Sequence, residues 1–219
     1  MTTITRRRRP LTRRRILTAA LRLVDREGLE ALSMRRLGKA LGVEAMSLYN
    51  HVPNKAALLD GIVELLLDEL EIPGPEAGDW RERFRRINQS YRRVAHAHPR
   101  AFPLAITRPY NTPGPLRQVE ATLQILHEAG FDAETALHLF QTGSSYTSGY
   151  VLAEITRTER PATEMAASAF DRHRLDAQTF PRLVALTAYY EARDRDAEFD
   201  YGLDAILRAF QPEPERPIA

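Results

Sequence analysis

Two glycines four residues apart, Gly38 and Gly42, stand inside a compact apolar set of Leu37, Leu41, Val43 and Leu48. The spacing predicts two short helices joined by a tight corner. Gly42 supplies the turn, and Gly38 marks the point where the helices approach closest, so that a side chain larger than Ala would push them apart. A pair of helices held this way can lay the second one in the major groove of DNA, which is wide enough to admit it. The same residues would face inward in any helical hairpin, so core packing alone also meets this spacing.

Almost every other segment reads as helix. Thr12 is placed to cap a first helix with Ile16, Leu17, Ala20, Leu21 and Val24 on one side, and Gly28 to end it. Ser33 caps the helix carrying Leu37 and Leu41. A third helix of about two turns holds Met46, Leu48 and Tyr49 and stops before Pro53. Asn54 caps a fourth with Leu58, Ile62, Leu65, Leu66 and Leu70, and Pro73-Gly74-Pro75 follows as a linker. Asp79 opens a helix with Trp80, Phe84, Ile87, Tyr91 and Val94 on one face. Prolines 99, 103, 109, 113 and 115 exclude a long regular element between them. Helices are expected at about 115–129 and 132–155, the second weakened by Gly143 and Gly149. After a polar, mobile stretch at 157–176 come two amphipathic helices and a disordered tail, Gln211–Ala219. The fold class is all-α: a three-helix head joined to a helical second domain. The expected boundaries are 1–11 for a flexible basic arm, 12–56 for the head, 57–211 for the second domain and 212–219 for the tail.

Charge divides along the same line. Residues 1–56 carry a formal charge of +9 and the remainder −7. A basic head on an acidic body is the pattern of a polyanion-binding module fused to a part with another task. Cysteine is absent, which excludes disulfide scaffolds, Cys-ligated metals and thiol nucleophiles. No apolar run is long enough to span a bilayer, and the expectation is a cytoplasmic, nucleoid-associated protein without a membrane partner.

The run Ile16-Leu17-x-Ala19-Ala20-Leu21, Gly28-Leu29-x-x-Leu32-Ser33-Met34-Arg35-Arg36-Leu37-Gly38, Leu41-Gly42-Val43, Leu48-Tyr49-Asn50-His51-Val52-x-Asn54-Lys55-x-x-Leu58-Leu59 resembles the DNA-binding domain of TetR-type repressors. Trp80, Thr107-Arg108-Pro109, Gly130-Phe131 and the closing helices extend the resemblance to the regulatory domain of the tetracycline-repressor branch. The resemblance implies a ligand-responsive repressor that binds a palindromic double-stranded operator as a homodimer. It places Ser33 and Arg35 at the DNA-facing start of the second helix and Ala45, Met46 and Ser47 at the base-facing start of the third. Tyr49 and His51 match phosphate- and base-contacting positions, and Lys55 matches a phosphate anchor. Asn50 joins this set, although it could equally face solvent. Ala45 and Met46 cannot make bidentate hydrogen bonds, so direct readout would lean on thymine methyl groups and DNA shape. The arm Arg6–Arg9, with Arg13–Arg15, would add phosphate contacts and a steep salt dependence.

For the second domain the resemblance implies a pocket for a small molecule. Candidate polar groups on otherwise apolar helices are Tyr91, His98, Gln141, Ser145, Tyr146 and Tyr150. The positions that bind tetracycline and magnesium in the branch hold Leu104, Ala105, Ile87 and Thr122 here, so a more hydrophobic effector is expected. His96 and His98 lie on nearly opposite sides of a helix and do not chelate one metal, and neither metal nor cofactor is expected. The resemblance also implies dimerisation through the last two helices, with Leu183, Leu186, Tyr190, Phe199, Leu203, Ile206 and Phe210 as the candidate interface.

Two other classes of function fit less of the sequence. A ligand-independent DNA-binding protein explains the head but not the long second domain. An all-α enzyme lacks support: His127-Glu128 has no second His, Gly143-Ser144-Ser145 has no closing Gly, and no carboxylate pair is marked by an apolar setting.

Overall fold

The computed structural model describes residues 10–158 and 175–212. The arm Arg6–Arg9, most of the polar stretch at 157–176 and all but the start of the tail lie outside the described residues. Within them the chain forms ten α-helices and no strand. It divides into two compact units, Met1–Leu70 with Ala97–Glu120, and Glu71–His96 with Ala121–Ala219.

The first unit begins with α1 (Arg13–Glu27), whose first turn is fixed by Thr12 accepting from the Arg15 amide at 3.2 Å. Gly28 ends it at φ 82°, a conformation that L side chains resist, and donates its N–H to the Val24 carbonyl. Ser33 caps α2 (Met34–Leu41), and Gly42 closes it in the left-handed region at φ 68°. The third helix, α3 (Ala45–Tyr49), is shorter than the two turns expected. It starts straight from the Gly42 corner and stops well before Pro53, leaving room for little more than one turn. Asn54 caps α4 (Lys55–Asp68) by accepting from Ala57 N at 2.8 Å. Ile16, Leu17, Leu37, Leu48, Leu58 and Ile62 are at most 1% exposed and form the centre of this unit.

The expected boundary at residue 57 falls inside α4, which does not leave the head. Its face of Leu58, Ile62 and Leu66 is buried, and Gly61 lies so close under the Leu17 side chain that no Cβ would fit unless that side chain moved. The same unit takes in the proline-interrupted stretch, where a short α6 (Pro103–Thr107) forms before the next helix opens at Pro113. Arg108, just past α6, donates to the Asp60 carboxylate at 2.6 and 2.9 Å and so ties this stretch to α4.

The second unit is built from α5 (Trp80–Ala97), α7 (Pro113–Glu128), α8 (Ala133–Thr158), α9 (Pro181–Ala192) and α10 (Arg195–Ala209), of which α5 and α7 each extend past its sequence limits at one end. Asp79 caps α5, accepting from Glu82 N at 2.9 Å. Trp80, Phe84, Ile125, Leu126, Phe131, Leu139, Phe199, Leu203 and Leu207 make the core, with the Trp80 and Phe131 rings edge to face at 4.8 Å. Gly143 admits the Phe84 ring: a Cβ there would stand 2.6 Å from it, so close approach and not a cavity is its role. No helix among the described residues is long and apolar enough to cross a membrane.

Candidate nucleic-acid interface

The rotation of α3 about its axis decides which side chains leave the head. Leu48 is fully buried, and at 3.6 residues per turn Met46 lies about 200° away from it. Met46 is accordingly 73% exposed, and Tyr49, about 60° to one side, is 41% exposed. Asn50 is the C-cap and keeps right-handed helical angles, φ −67° and ψ −17°, so the projection carries on to it, and it is exposed. Ala45 and Ser47, about 100° to either side of Met46, are half-buried. Of the base-facing trio expected from sequence, Met46 is the apex and Ala45 and Ser47 are its flanks.

Ser33 and Arg35 at the start of α2, His51 just after α3 and Lys55 at the start of α4 are all exposed. Ser33 Oγ is already engaged, accepting from Arg36 N at 3.3 Å. The basic residues of the head separate into two groups that the sequence sum did not distinguish. Arg13 pairs with Glu64 at 2.9 Å, and Arg26 and Arg36 both reach Glu27. Those two guanidiniums, Arg26 first, hold the Glu27 carboxyl below the usual carboxylate range. Arg14, Arg22, Arg35, Lys39 and Lys55 form no ion pair among the described residues. Arg14, Arg22 and the paired Arg26 line a groove shared by α1 and the end of α2, together with Ala19, Leu23, Ala40 and Leu41. The helical register of Arg14, Arg22 and Arg26, spaced by eight and four, was the available sequence signal for that surface.

The candidate ligand residues fall in both units. His98 belongs to the first unit, where Nδ1 lies 2.9 Å from Asp25 and Nε2 3.3 Å from Glu69. The other five are on α5 and α8 of the second unit. Tyr146 donates to the Phe199 carbonyl at 2.9 Å and stacks on the Phe199 ring, while Tyr150 donates to the Arg195 carbonyl at 3.0 Å. Both phenols therefore fasten α8 to α10, and burial pushes the Tyr146 hydroxyl up to about 12. Tyr91 sits 3.3 Å from Ser148 Oγ, and Gln141 and Ser145 are exposed.

A polar centre that the sequence did not mark lies in the same unit. Glu154, 4% exposed, accepts two hydrogen bonds from Arg92 at 2.8 Å, and His96 Nε2 lies 2.9 Å away. Burial opposes its ionisation, yet Arg92 and His96 outweigh that cost and hold the carboxyl below its ordinary range. Arg92 also pairs with Asp196 and lies over the Phe199 ring at 4.9 Å. The signal was Glu154 set between Val151 and Ile155, which are both buried.

The expected dimer surface needs correction. Phe199 and Leu203 are 0% exposed within their own protomer, because they fill the space between α5, α7 and α8. Ile206 and Phe210 pack partly against that core, Leu183 is half-buried, and Tyr190 is covered by the Arg193 guanidinium at 4.0 Å. Leu186 is exposed as expected, and the sequence reading did not include two further exposed residues of these helices, Tyr189 and Tyr201, at 76% and 73%.

Comparison with known proteins gives two family matches. Residues 16–62 match the family described as bacterial regulatory proteins, tetR family, and residues 72–210 match the tetracyclin repressor-like C-terminal domain. An HTH-type transcriptional regulator of Saccharopolyspora erythraea is 31% identical, covering 90% of this chain and 83% of that protein. The class C tetracycline repressor protein of Escherichia coli is 33% identical, covering 90% and 89%. The crystal structure of the TetR family protein ActR of Streptomyces coelicolor in complex with actinorhodin superposes with a TM-score of 0.79. It is 35% identical and covers 92% of this chain and 97% of that one.

Proposed function

Because the chain belongs to the TetR family of bacterial regulatory proteins, we propose that it is a repressor that binds a palindromic operator as a homodimer and is released by a hydrophobic small molecule. Each protomer seats α3 in the major groove, and the two-fold pair reads half-sites about 34 Å apart. Arg35 and Lys55 take phosphates, Ser47, Tyr49 and His51 donate to the sugar-phosphate chain and base edges, and Met46 stands nearest the bases. The observation that carries this reading is the burial of Leu48 opposite an exposed Met46, which holds a reading face outward on a rigid head.

The effector binds in the second unit. Two facts support an organic effector other than tetracycline with magnesium. ActR, similar along nearly the whole chain, is solved with actinorhodin, and in the second unit Ile87 and Thr122 replace polar residues that the resemblance assigns to tetracycline and magnesium. The exposed apolar residues of α9 and α10, Leu186, Tyr189 and Tyr201, join the two protomers. The protein works in the cytoplasm, at the nucleoid, and catalyses no reaction.

The test is selection of bound duplexes from a random pool, followed by titration of the selected duplex in the presence of actinorhodin as probe. A palindromic consensus, two protomers per duplex and release by actinorhodin are expected. Recovery of no consensus, with a single protomer per duplex, overturns the reading.

A further inference from the structure

The orientation of α3 assigns more than a general reading face. We infer that Met46 and Asn50 form a two-residue code for a thymine and a nearby adenine in the operator half-site. The inference rests on the DNA-binding role proposed above and gives the class of sequence that role selects.

The two residues are four apart and therefore neighbours on one side of the helix, with Cβ atoms about 5–6 Å apart. Base pairs rise about 3.4 Å per step, so two such side chains meet bases one or two steps apart. Burial of Leu48 fixes the helix so that Met46 and Asn50 share the outward sector, about 40° from one another. Ala45 and Ser47 are turned aside to half-buried positions, which leaves them as secondary contacts.

The chemistry of each side chain narrows the base it fits. Met46 offers no donor and only a weak acceptor in its thioether, so it gains nothing from the polar edges of a G·C pair. Its flexible thioether fills the space over the C5-methyl of thymine, the one apolar group in the major groove. Asn50 carries one donor and one acceptor side by side. Its Nδ2 donates to adenine N7 while its Oδ1 accepts from adenine N6, a match that guanine, with two acceptors on that edge, does not offer. No hydrogen bond ties the Asn50 side chain to a described residue, so it pays no price for turning to a base.

The experiment uses the full-length protein and its selected duplex. Thymine in the half-site is replaced by deoxyuridine, which lacks only the methyl group, and adenine by 7-deazaadenine, which lacks only N7. Binding of wild type, M46A and N50A to each duplex is measured by fluorescence anisotropy. Wild type should lose about fourfold with deoxyuridine, the worth of one buried methyl, and about tenfold with 7-deazaadenine. M46A should ignore the first replacement and keep the second penalty, with N50A the reverse. Both residues are exposed, so the variants fold. Equal penalties in wild type and variants, or a consensus with G·C at every position of the half-site, overturn the code while leaving the repressor reading intact. Failure to bind any duplex overturns that reading instead.

Discussion

Gly38 and the Val43 carbonyl lie so close that a methyl group on Gly38 would stand 2.9 Å from the carbonyl oxygen and 3.2 Å from the Ala45 Cα. Both neighbours are backbone and cannot move aside without shifting α3. Even Ala, which the sequence pattern left room for, is therefore too large. Gly38→Ala should destabilise the head by about 1–3 kcal/mol and weaken operator binding beyond that loss, because the surviving fold presents Met46 at a different tilt. Denaturant unfolding and anisotropy on the same variant separate the two effects. Unchanged operator affinity would show that α3 does not depend on this approach.

The split between paired and unpaired cations predicts unequal salt effects. Lys55→Ala and Arg35→Ala should each lower the slope of log affinity against log salt by about 1. Arg36→Ala should leave the slope nearly unchanged, since that guanidinium already serves Glu27. Titrations between 50 and 200 mM salt give all three slopes.

The Glu154 centre predicts a pH dependence. Its folded-state carboxyl titrates below the ordinary value of 4.5, so ionised pairing stabilises the fold fully above that pH and the gain disappears as pH falls through the lower folded value. Glu154→Ala leaves Arg92 without its principal partner and should cost about 3 kcal/mol at pH 7. The difference in melting temperature from wild type should shrink below pH 4. A gap that stays constant from pH 7 to pH 3 would mean that the ion pair contributes nothing.

Two glycines on α8 should respond in opposite ways. Gly143→Ala drives a methyl into the buried Phe84 ring and should destabilise the second unit by about 1–3 kcal/mol. Gly149→Ala meets nothing within 4 Å and should stabilise the helix by up to about 1 kcal/mol. Thermal unfolding of the two single variants tests the contrast.

The corrected dimer surface is tested by the same kind of pairing. Leu186→Glu with Tyr201→Glu should yield a folded monomer in light scattering, because both residues are exposed. Leu203→Ala should cost about 2–5 kcal/mol of stability through the protomer core, with the oligomeric state retained.

The helices were legible in the sequence because their signals are local. Thr12, Ser33, Asn54 and Asp79 each cap the helix they precede, and Gly28 and Gly42 end theirs. The reading face of α3 was half legible: motif position named Met46 and left Asn50 open between DNA and solvent, and the rotation that raises Asn50 beside Met46 and turns Ala45 away depends on how deeply Leu48 is seated. The last helices show why periodicity stops short. An amphipathic face says that Phe199 and Leu203 are covered, not whether their own chain or a partner covers them. The Glu154 centre was hidden for a similar reason, since Arg92 and His96 come to it from 62 and 58 residues away.

The Arg108–Asp60 tie has a consequence for biosynthesis. The unit that carries the reading helix leaves off at Leu70 and resumes only at Ala97, so its sequence is interrupted by a stretch that belongs elsewhere. As the nascent chain emerges from the ribosome, amino-terminal end first, α1 to α4 must wait for Arg108 before α4 gains its final partner. A fragment cut at residue 70 is an unfinished folding unit, with Asp60 left facing water.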